Sequence, residues 1–278
     1  MRFARSLDRG EHFSEPLTVH HDRAEITHRF DALAVDGDGR IVIAWIDKRD
    51  VVAATARHQP YLGAAVYYSW SNDGGASFVP EQKLIDQSCE CCRIALARTP
   101  GGKIAAFFRS IYGDNIRDHA YAVLHVDGQT SHAERATFSE WQIAGCPHHG
   151  PGLAIGNDGI RHAVWYEAKG TPTIWYGQLD PTRPPQHPLA IAAAGASHAD
   201  VAVHDHAVGV VWNQVSADGY ALMARHSADN GVHFDAAREI ARSRGAAGSP
   251  QLRHRQGCAV VAWNTAAGFR VIPVEAPR

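Results

Sequence analysis

The octapeptide pattern Ser-x-Asp-x-Gly-x-x-Phe occurs three times in a chain of 278 residues, as SLDRGEHF from Ser6, SNDGGASF from Ser71 and SADNGVHF from Ser227. Strand-like runs flank the copies, AAVYYSW and YALMARH before the second and third, VPEQKLI and DAAREIA after them. Each copy therefore reads as a hairpin turn. The Asp carboxylate can accept bonds from turn amides, the Gly supplies a positive φ, and the aromatic ring plugs the space beneath.

A second repeat interleaves with the first. An apolar strand, a turn such as DGDGR, TPGGK or NDGI, and a second apolar strand recur along the chain, the second strands reading IVIAWID, IAAFFRS, HAVWYEA, VGVVWNQ and AVVAWNT. Their aromatics, Trp45, Phe108, Trp165, Trp212 and Trp263, follow one another at 63, 57, 47 and 51 residues. Such a period suits one four-stranded blade with variable loops, and helical periodicity is nearly absent. The expectation is an all-β chain, a single β-propeller domain over residues 1–278.

Octapeptides and blade pattern together resemble the sialidase-like superfamily of Asp-box (BNR repeat) β-propellers, over essentially the whole chain. That resemblance implies six blades, with the Asp boxes on the outer rim, and it covers sialidases, other glycosidases and non-enzymatic propellers alike. Five inner-strand pairs are visible, near residues 29–46, 92–109, 152–166, 199–213 and 249–264, while residues 1–19 supply only an outer hairpin and FRVIPVEA a third strand. The count favours six blades with an incomplete N-terminal one; a five-bladed ring is the alternative. An N-terminus that opens inside a repeat raises the expectation of a missing upstream segment, and with it a periplasmic or secreted location. As written, the chain has neither a signal-peptide stretch nor an apolar run of about 18 residues and reads as cytoplasmic.

A net charge of −2, 20% charged residues and scattered Lys and Arg give no basis for a nucleic acid or a membrane as partner. GPGLAIG lacks the spacing and following helix of a dinucleotide site, so no nucleotide cofactor is expected. A small polar ligand, a glycan or a metal ion remains; the oligomeric state is not legible.

In a propeller, the loops leading into the innermost strands and those following the second strands open on one face. SCECCRI brings Cys89, Cys91 and Cys92 there, and GCPHHGP, one blade later, brings Cys146, His148 and His149 to the equivalent place. Thiolates with imidazoles suit Cu(I) or Zn(II). A disulfide between one of the first three cysteines and Cys146, or redox chemistry, is the alternative. Cys258, inside CAVVAW, reads as a core residue.

The same loops carry Arg29, Asp47, Arg49, Arg109, Arg117, Asp118 and Glu167 as candidate catalytic residues. FRSIYGDNIRDH is long and rich in mixed charge, as a loop reaching over a polar ligand would be. By resemblance, a sialidase would need three arginines on a sugar carboxylate, a Tyr–Glu nucleophile pair and an Asp acid/base. HRFDAL is similar to the family's Arg-Ile-Pro-x-Leu and makes Arg29 the first arginine, with Arg109 and Arg117 to complete the cluster. The departures are specific. Phe-Asp replaces Ile-Pro, VVAATARHQPYLG offers no acid, and the adjacent Tyr166 and Glu167 would point to opposite faces of a strand. The structural reading pairs Arg49, Arg109 and Arg117 with Asp47, Asp50, Asp114 and Asp118. Three functions stay open: a propeller with a Cu, Zn or redox site, a glycoside hydrolase acting on acidic sugars, and a non-catalytic glycan- or protein-binding propeller.

Overall fold

The computed structural model describes residues 1–180, 183, 185, 188–192, 194–255 and 258–274. Strands dominate because the apolar runs are short, bounded by turn residues, and rich in β-branched and aromatic side chains. The chain divides into two compact units, Met1–Arg135 with Ala144–Pro147, and Ala136–Ile143 with His148–Arg278.

In the first unit, β1 (Arg2–Phe3) pairs with β2 (Leu17–Thr18), the expected N-terminal hairpin. A four-stranded antiparallel sheet follows in sequence order, formed by β3 (His28–Val35), β4 (Ile41–Asp47), β5 (Ala64–Ser71) and β6 (Gln82–Ser88), with α1 (Arg49–Ala56) between β4 and β5. The next sheet contains β7 (Ala95–Arg98), β8 (Ile104–Arg109), β9 (His119–Leu124) and β10 (Ala133–Arg135). The second unit repeats the meander with β11 (Gly152–Ile155), β12 (Arg161–Glu167), β13 (Thr173–Leu179) and β14 (Leu189–Ala192). Next come β15 (Ala196–His204), β16 (Ala207–Ser216), β17 (Gly219–Ser227) and β18 (Arg238–Arg244). A three-stranded sheet of β19 (Gln251–Arg255), β20 (Cys258–Thr265) and β21 (Gly268–Val274) completes the described residues. These sheets are the blades of a β-propeller fold, and all five expected inner-strand pairs are present.

The central strands explain why their sequences do not alternate. On β4, Val42, Ala44 and Ile46 pack toward β8 residues Ile104, Ala106 and Phe108, while Ile43 and Trp45 pack on Val19, Tyr67 and Phe78. Both faces are covered, so a continuous apolar run is required. In the second unit Val208, Val210 and Trp212 of β16 face Val164 and Ile174, and Val211 faces Leu252 and Trp263.

The start of VVAATARHQPYLG joins Arg49 and Asp50 in an eight-residue helix, Arg49–Ala56, that buries Ala54. One expectation is corrected. Cys258 is exposed rather than core: it opens β20, paired with Arg255 at the end of a hairpin. FRVIPVEA does form a third strand, although Glu275 and Ala276 lie outside the described residues. No helix among the described residues is long and apolar enough to cross a membrane.

The three octapeptides close with one hydrogen-bond scheme. Ser71 Oγ donates to Asp73 Oδ1 (2.7 Å) and accepts from Gly75 N (2.7 Å), while Asp73 Oδ1 accepts from Ser77 N (2.9 Å). Ser6 with Asp8, and Ser227 with Asp229, repeat these contacts. Gly75 sits at φ 85°, and a Cβ there would lie 2.4 Å from the Phe3 ring, so backbone conformation and packing both demand glycine. Bonds from Ser77 and Ser71 hold the Asp73 carboxyl well below its ordinary value. The turn's contribution is therefore complete at neutral pH and fades as pH falls into the carboxylate range. Ser71, wholly buried, accepts and donates at once. Ser71→Ala should cost about 1–2 kcal/mol and lower Tm by roughly 2–4 °C, measured by thermal unfolding at pH 7.

Candidate functional site

In the first unit, register brings the expected loops to one sheet edge. His28 pairs with Asp47 across β3 and β4, Ala64 with Ser88 across β5 and β6, and Arg109 with His119 across β8 and β9. A bridge between Ser88 and Ser110, with Cys89 N donating to Arg109 O (3.0 Å), joins the two sheets at that edge.

Directly after β6 the chain turns in on itself and buries three sulfurs, with Cys89 at 0%, Cys91 at 2% and Cys92 at 2% exposure. Cys89 Sγ lies 3.5 Å from Cys91 Sγ and 3.3 Å from Cys92 Sγ. The loop is anchored at Glu90, whose carbonyl accepts from Arg29 Nε (3.1 Å) and whose carboxylate pairs with Lys48. Three thiols in contact cannot all ionise. Sulfur-to-sulfur hydrogen bonds from Cys91 and Cys92, helped by the nearby Arg109 charge, push Cys89 down, while bonding to Cys89 and burial push Cys91 up. Cys92 is pushed up chiefly by the same bond to Cys89. Of the three, Cys89 is the thiol favoured to ionise first. Zn–S bonds of about 2.3 Å in a tetrahedron place sulfurs about 3.8 Å apart, a few tenths of an ångström from the spacing found here.

The charged candidates are tied up in the structure. Asp47 is wholly buried and lies 2.9 Å from His28 Nδ1; it accepts from Trp45 Nε1 (2.8 Å) and Arg49 Nη2 (2.7 Å). Burial would raise its pKa, but the bonds from Arg49 and Trp45 outweigh that and hold it low. Arg49 also reaches Glu81 (2.8 Å) and lies over the Tyr67 ring at 4.1 Å. Glu81, which burial would likewise raise, is held down to about 2 by the His21 and Asp22 amides and by Arg49. Arg109 Nη1 donates to Arg117 O (2.8 Å), Arg117 Nη2 to Asn115 Oδ1 (2.9 Å), and Arg135 Nε to Asp118 Oδ2 (3.1 Å). FRSIYGDNIRDH is folded against its own strands. It closes through a Tyr112–Ile116 bridge and buries Arg109, Arg117, Asp118 and His119.

The remaining candidates divide between the units. Cys146 is an exposed free thiol; among the described residues, two groups of potential ligand atoms lie within 4.8 Å of one another, those of buried Cys89, Cys91 and Cys92 and those of exposed Asp8, Glu11 and His12. His148 and His149 belong to the second unit. There the His149 ring stacks on Tyr166 at 3.8 Å and on His198 at 5.0 Å, and Trp141 meets Tyr166 edge-on. Glu167 accepts from Trp165 Nε1 (2.7 Å), as Asp47 does from Trp45. A Trp-x-acidic pair at the end of a second strand is the signal that the sequence held and that went unread. Two residues apart on a strand share a face, and a buried indole N–H needs an acceptor.

Two outcomes follow from this geometry. Arg49→Met should cost about 3 kcal/mol at pH 7, because it strands Asp47 and Glu81, and less near pH 3, where the variant's carboxyls, no longer held low by Arg49, take up protons; urea unfolding at the two pH values measures this. Thiol titration of the native protein should find Cys146 and Cys258 reacting fast and the buried trio slowly, with all five reacting after denaturation.

No protein-family model matches the sequence, and no curated protein sequence is similar to it. Solved structures do resemble it. A Hadza microbial sialidase superposes with a TM-score of 0.64 and 11% identity, over 98% of this chain and 58% of that one. An α-L-arabinofuranosidase of Fusarium graminearum gives 0.58 and 13%, over 91% and 83%. The NanB sialidase of Streptococcus pneumoniae gives 0.55 and 8%, over 85% and 56%. This chain thus spans less than two thirds of the two sialidases. At these identities the likeness is one of fold, an all-β propeller of the kind found in sialidases and related glycosidases.

Proposed function

We propose that this chain is an Asp-box propeller of the sialidase-like superfamily that binds a thiophilic metal ion, Cu(I) or Zn(II), through Cys89, Cys91 and Cys92. One observation carries the reading: three buried sulfurs within 3.3 and 3.5 Å of a common member, on a loop anchored from both sides at Glu90. Burying three adjacent thiols gains little packing that alanine or valine could not supply, whereas thiolates are the ligands that soft cations select. Arg109, 1% exposed, brings positive charge that offsets the negative charge of a metal–thiolate group. A three-sulfur set suits trigonal Cu(I) as it stands, whereas Zn(II) requires a fourth ligand.

A second reading, hydrolysis of acidic sugars, is favoured by the likeness in fold to sialidase structures. It is placed second because Asp47 and Arg49 are paired with one another, Arg49 also with Glu81, Arg109 is bonded to the Arg117 carbonyl and Arg117 to Asn115, and a carboxylate held as low as Asp47 is a poor general acid.

Anaerobic loading with Cu(I), and separately with Zn(II), followed by desalting and elemental analysis, tests the first reading. One equivalent of metal is expected, lost in the Cys91→Ser, Cys92→Ser double variant and kept in Cys258→Ser. A metal in hundredfold excess over Kd should also stabilise the fold by about 2.7 kcal/mol. Wild-type protein that stays metal-free with both ions overturns the proposal. Turnover of a fluorogenic sialoside by folded, metal-free protein would promote the second reading over the first.

A further inference from the structure

Four cationic side chains stand around the sulfur loop. Arg29 donates from Nε to the Glu90 carbonyl (3.1 Å), Lys48 pairs with the Glu90 carboxylate, Arg93 directly follows Cys92, and the charge of buried Arg109 acts on Cys89. Glu90 is the one carboxylate within residues 88–93, and Lys48 already occupies it. Even with exposed Asp31, which follows Phe30, four positive charges stand against two negative ones.

Two of the cations are ordered without being neutralised. Arg93 is exposed, and the Arg29 and Arg93 guanidinium groups both lie against the Phe30 ring, 4.9 and 5.8 Å from its centroid. Among the described residues Arg93 has no hydrogen-bond or ion-pair partner, and Arg29 has none beyond Glu90. A ring face holds a cation in place and leaves its charge and its N–H groups available.

A bare cation approaching such a loop is repelled, and Cu(I) does not persist in water uncomplexed. An anionic complex is drawn in instead, and guanidinium groups grip carboxylates bidentately. The whole chain carries a formal charge of −2, so attraction of an anion has to come from this local group. Resting on the reading of Cys89, Cys91 and Cys92 as metal ligands, we propose that the site takes Cu(I) from a small anionic complex whose ligands carry carboxylates, steered and docked by Arg93 and Arg29. The step is ligand exchange without redox. Bonds from Cu(I) to the carrier break as bonds to the three sulfurs form; copper stays Cu(I), the carrier's ligands leave, and the thiol protons pass to solvent.

The probes are Cu(I) bicinchoninate, an anionic complex bearing carboxylates, and Cu(I) neocuproine, a cationic one, each mixed anaerobically with the full chain while the donor's colour reports transfer. The two ligands differ in their own hold on Cu(I), so the comparison is each donor's response to salt and to Arg93→Glu. Raising the ionic strength from about 0.01 M to about 0.15 M shortens the Debye length from about 30 Å to about 8 Å and should slow transfer from bicinchoninate about tenfold. Arg93→Glu, an exposed change outside the sulfur ligands, should slow it by a similar factor at low salt and leave the final stoichiometry unchanged. Neither change should slow transfer from neocuproine. Equal responses from the two donors overturn the proposal and leave the metal site standing. So does a failure of bicinchoninate to deliver Cu(I) to protein that loads from the acetonitrile complex, whereas no loading from any donor overturns the metal reading itself.

Discussion

A buried indole N–H has to be given an acceptor, and much of this structure is arranged around that requirement. Trp45, Trp165 and Trp212 each donate to the side chain two residues onward, Asp47, Glu167 and Gln214, while Trp263 reaches across to Asn213. The aromatic can then fill the space between sheets without stranding a donor. At the first of these pairs the acceptor is a carboxylate, which brings a charge into the interior. Asp47 therefore needs Arg49 and His28, and Arg49 in turn recruits Glu81. A packing requirement at one tryptophan thus propagates into the ion-pair network that orders the whole sheet edge.

That propagation decides what chemistry is left. In the loops of the first unit Arg49 pairs with Asp47 and Glu81 and Arg135 with Asp118, while Arg109 donates to the Arg117 carbonyl and Arg117 to Asn115. The sulfur cluster is different. Cys89 Sγ bonds to Cys91 Sγ and Cys92 Sγ, and the loop's anchors, Arg29 and Lys48, act on Glu90.

The strand pairs were legible because two periodicities coincided: a blade-length recurrence of aromatics and the fixed spacing of Ser, Asp and Gly in the turns. Cys89, Cys91 and Cys92 were legible as a group for the simplest reason, since a loop of four residues cannot separate them far. What failed to show depended on contacts between distant residues. Arg49 is two residues from Asp47 but meets Glu81 only through the fold, and α1 is too short for its VVAATA run to declare a period. Cys258 sits in an apolar run that reads as core, yet its position at the mouth of a hairpin exposes it. His148 and His149 belong to the second unit, where the His149 ring stacks on Tyr166 and His198, contacts between blades that a repeat position does not specify.

The spacing of the three thiols also bears on their oxidation state. A disulfide requires sulfurs about 2.05 Å apart, whereas the nearest pair, Cys89 and Cys92, lies at 3.3 Å, so oxidation would draw one sulfur more than an ångström through a packed loop. Metal coordination requires the opposite movement, a small expansion toward 3.8 Å, and it replaces thiol protons with a cation. A loop anchored at Glu90 resists the larger displacement more than the smaller one, and the thiolate already favoured at Cys89 gives an incoming cation its first ligand. On the proposed reading, the loop therefore moves less to hold an ion among three sulfurs than to close a bond between two.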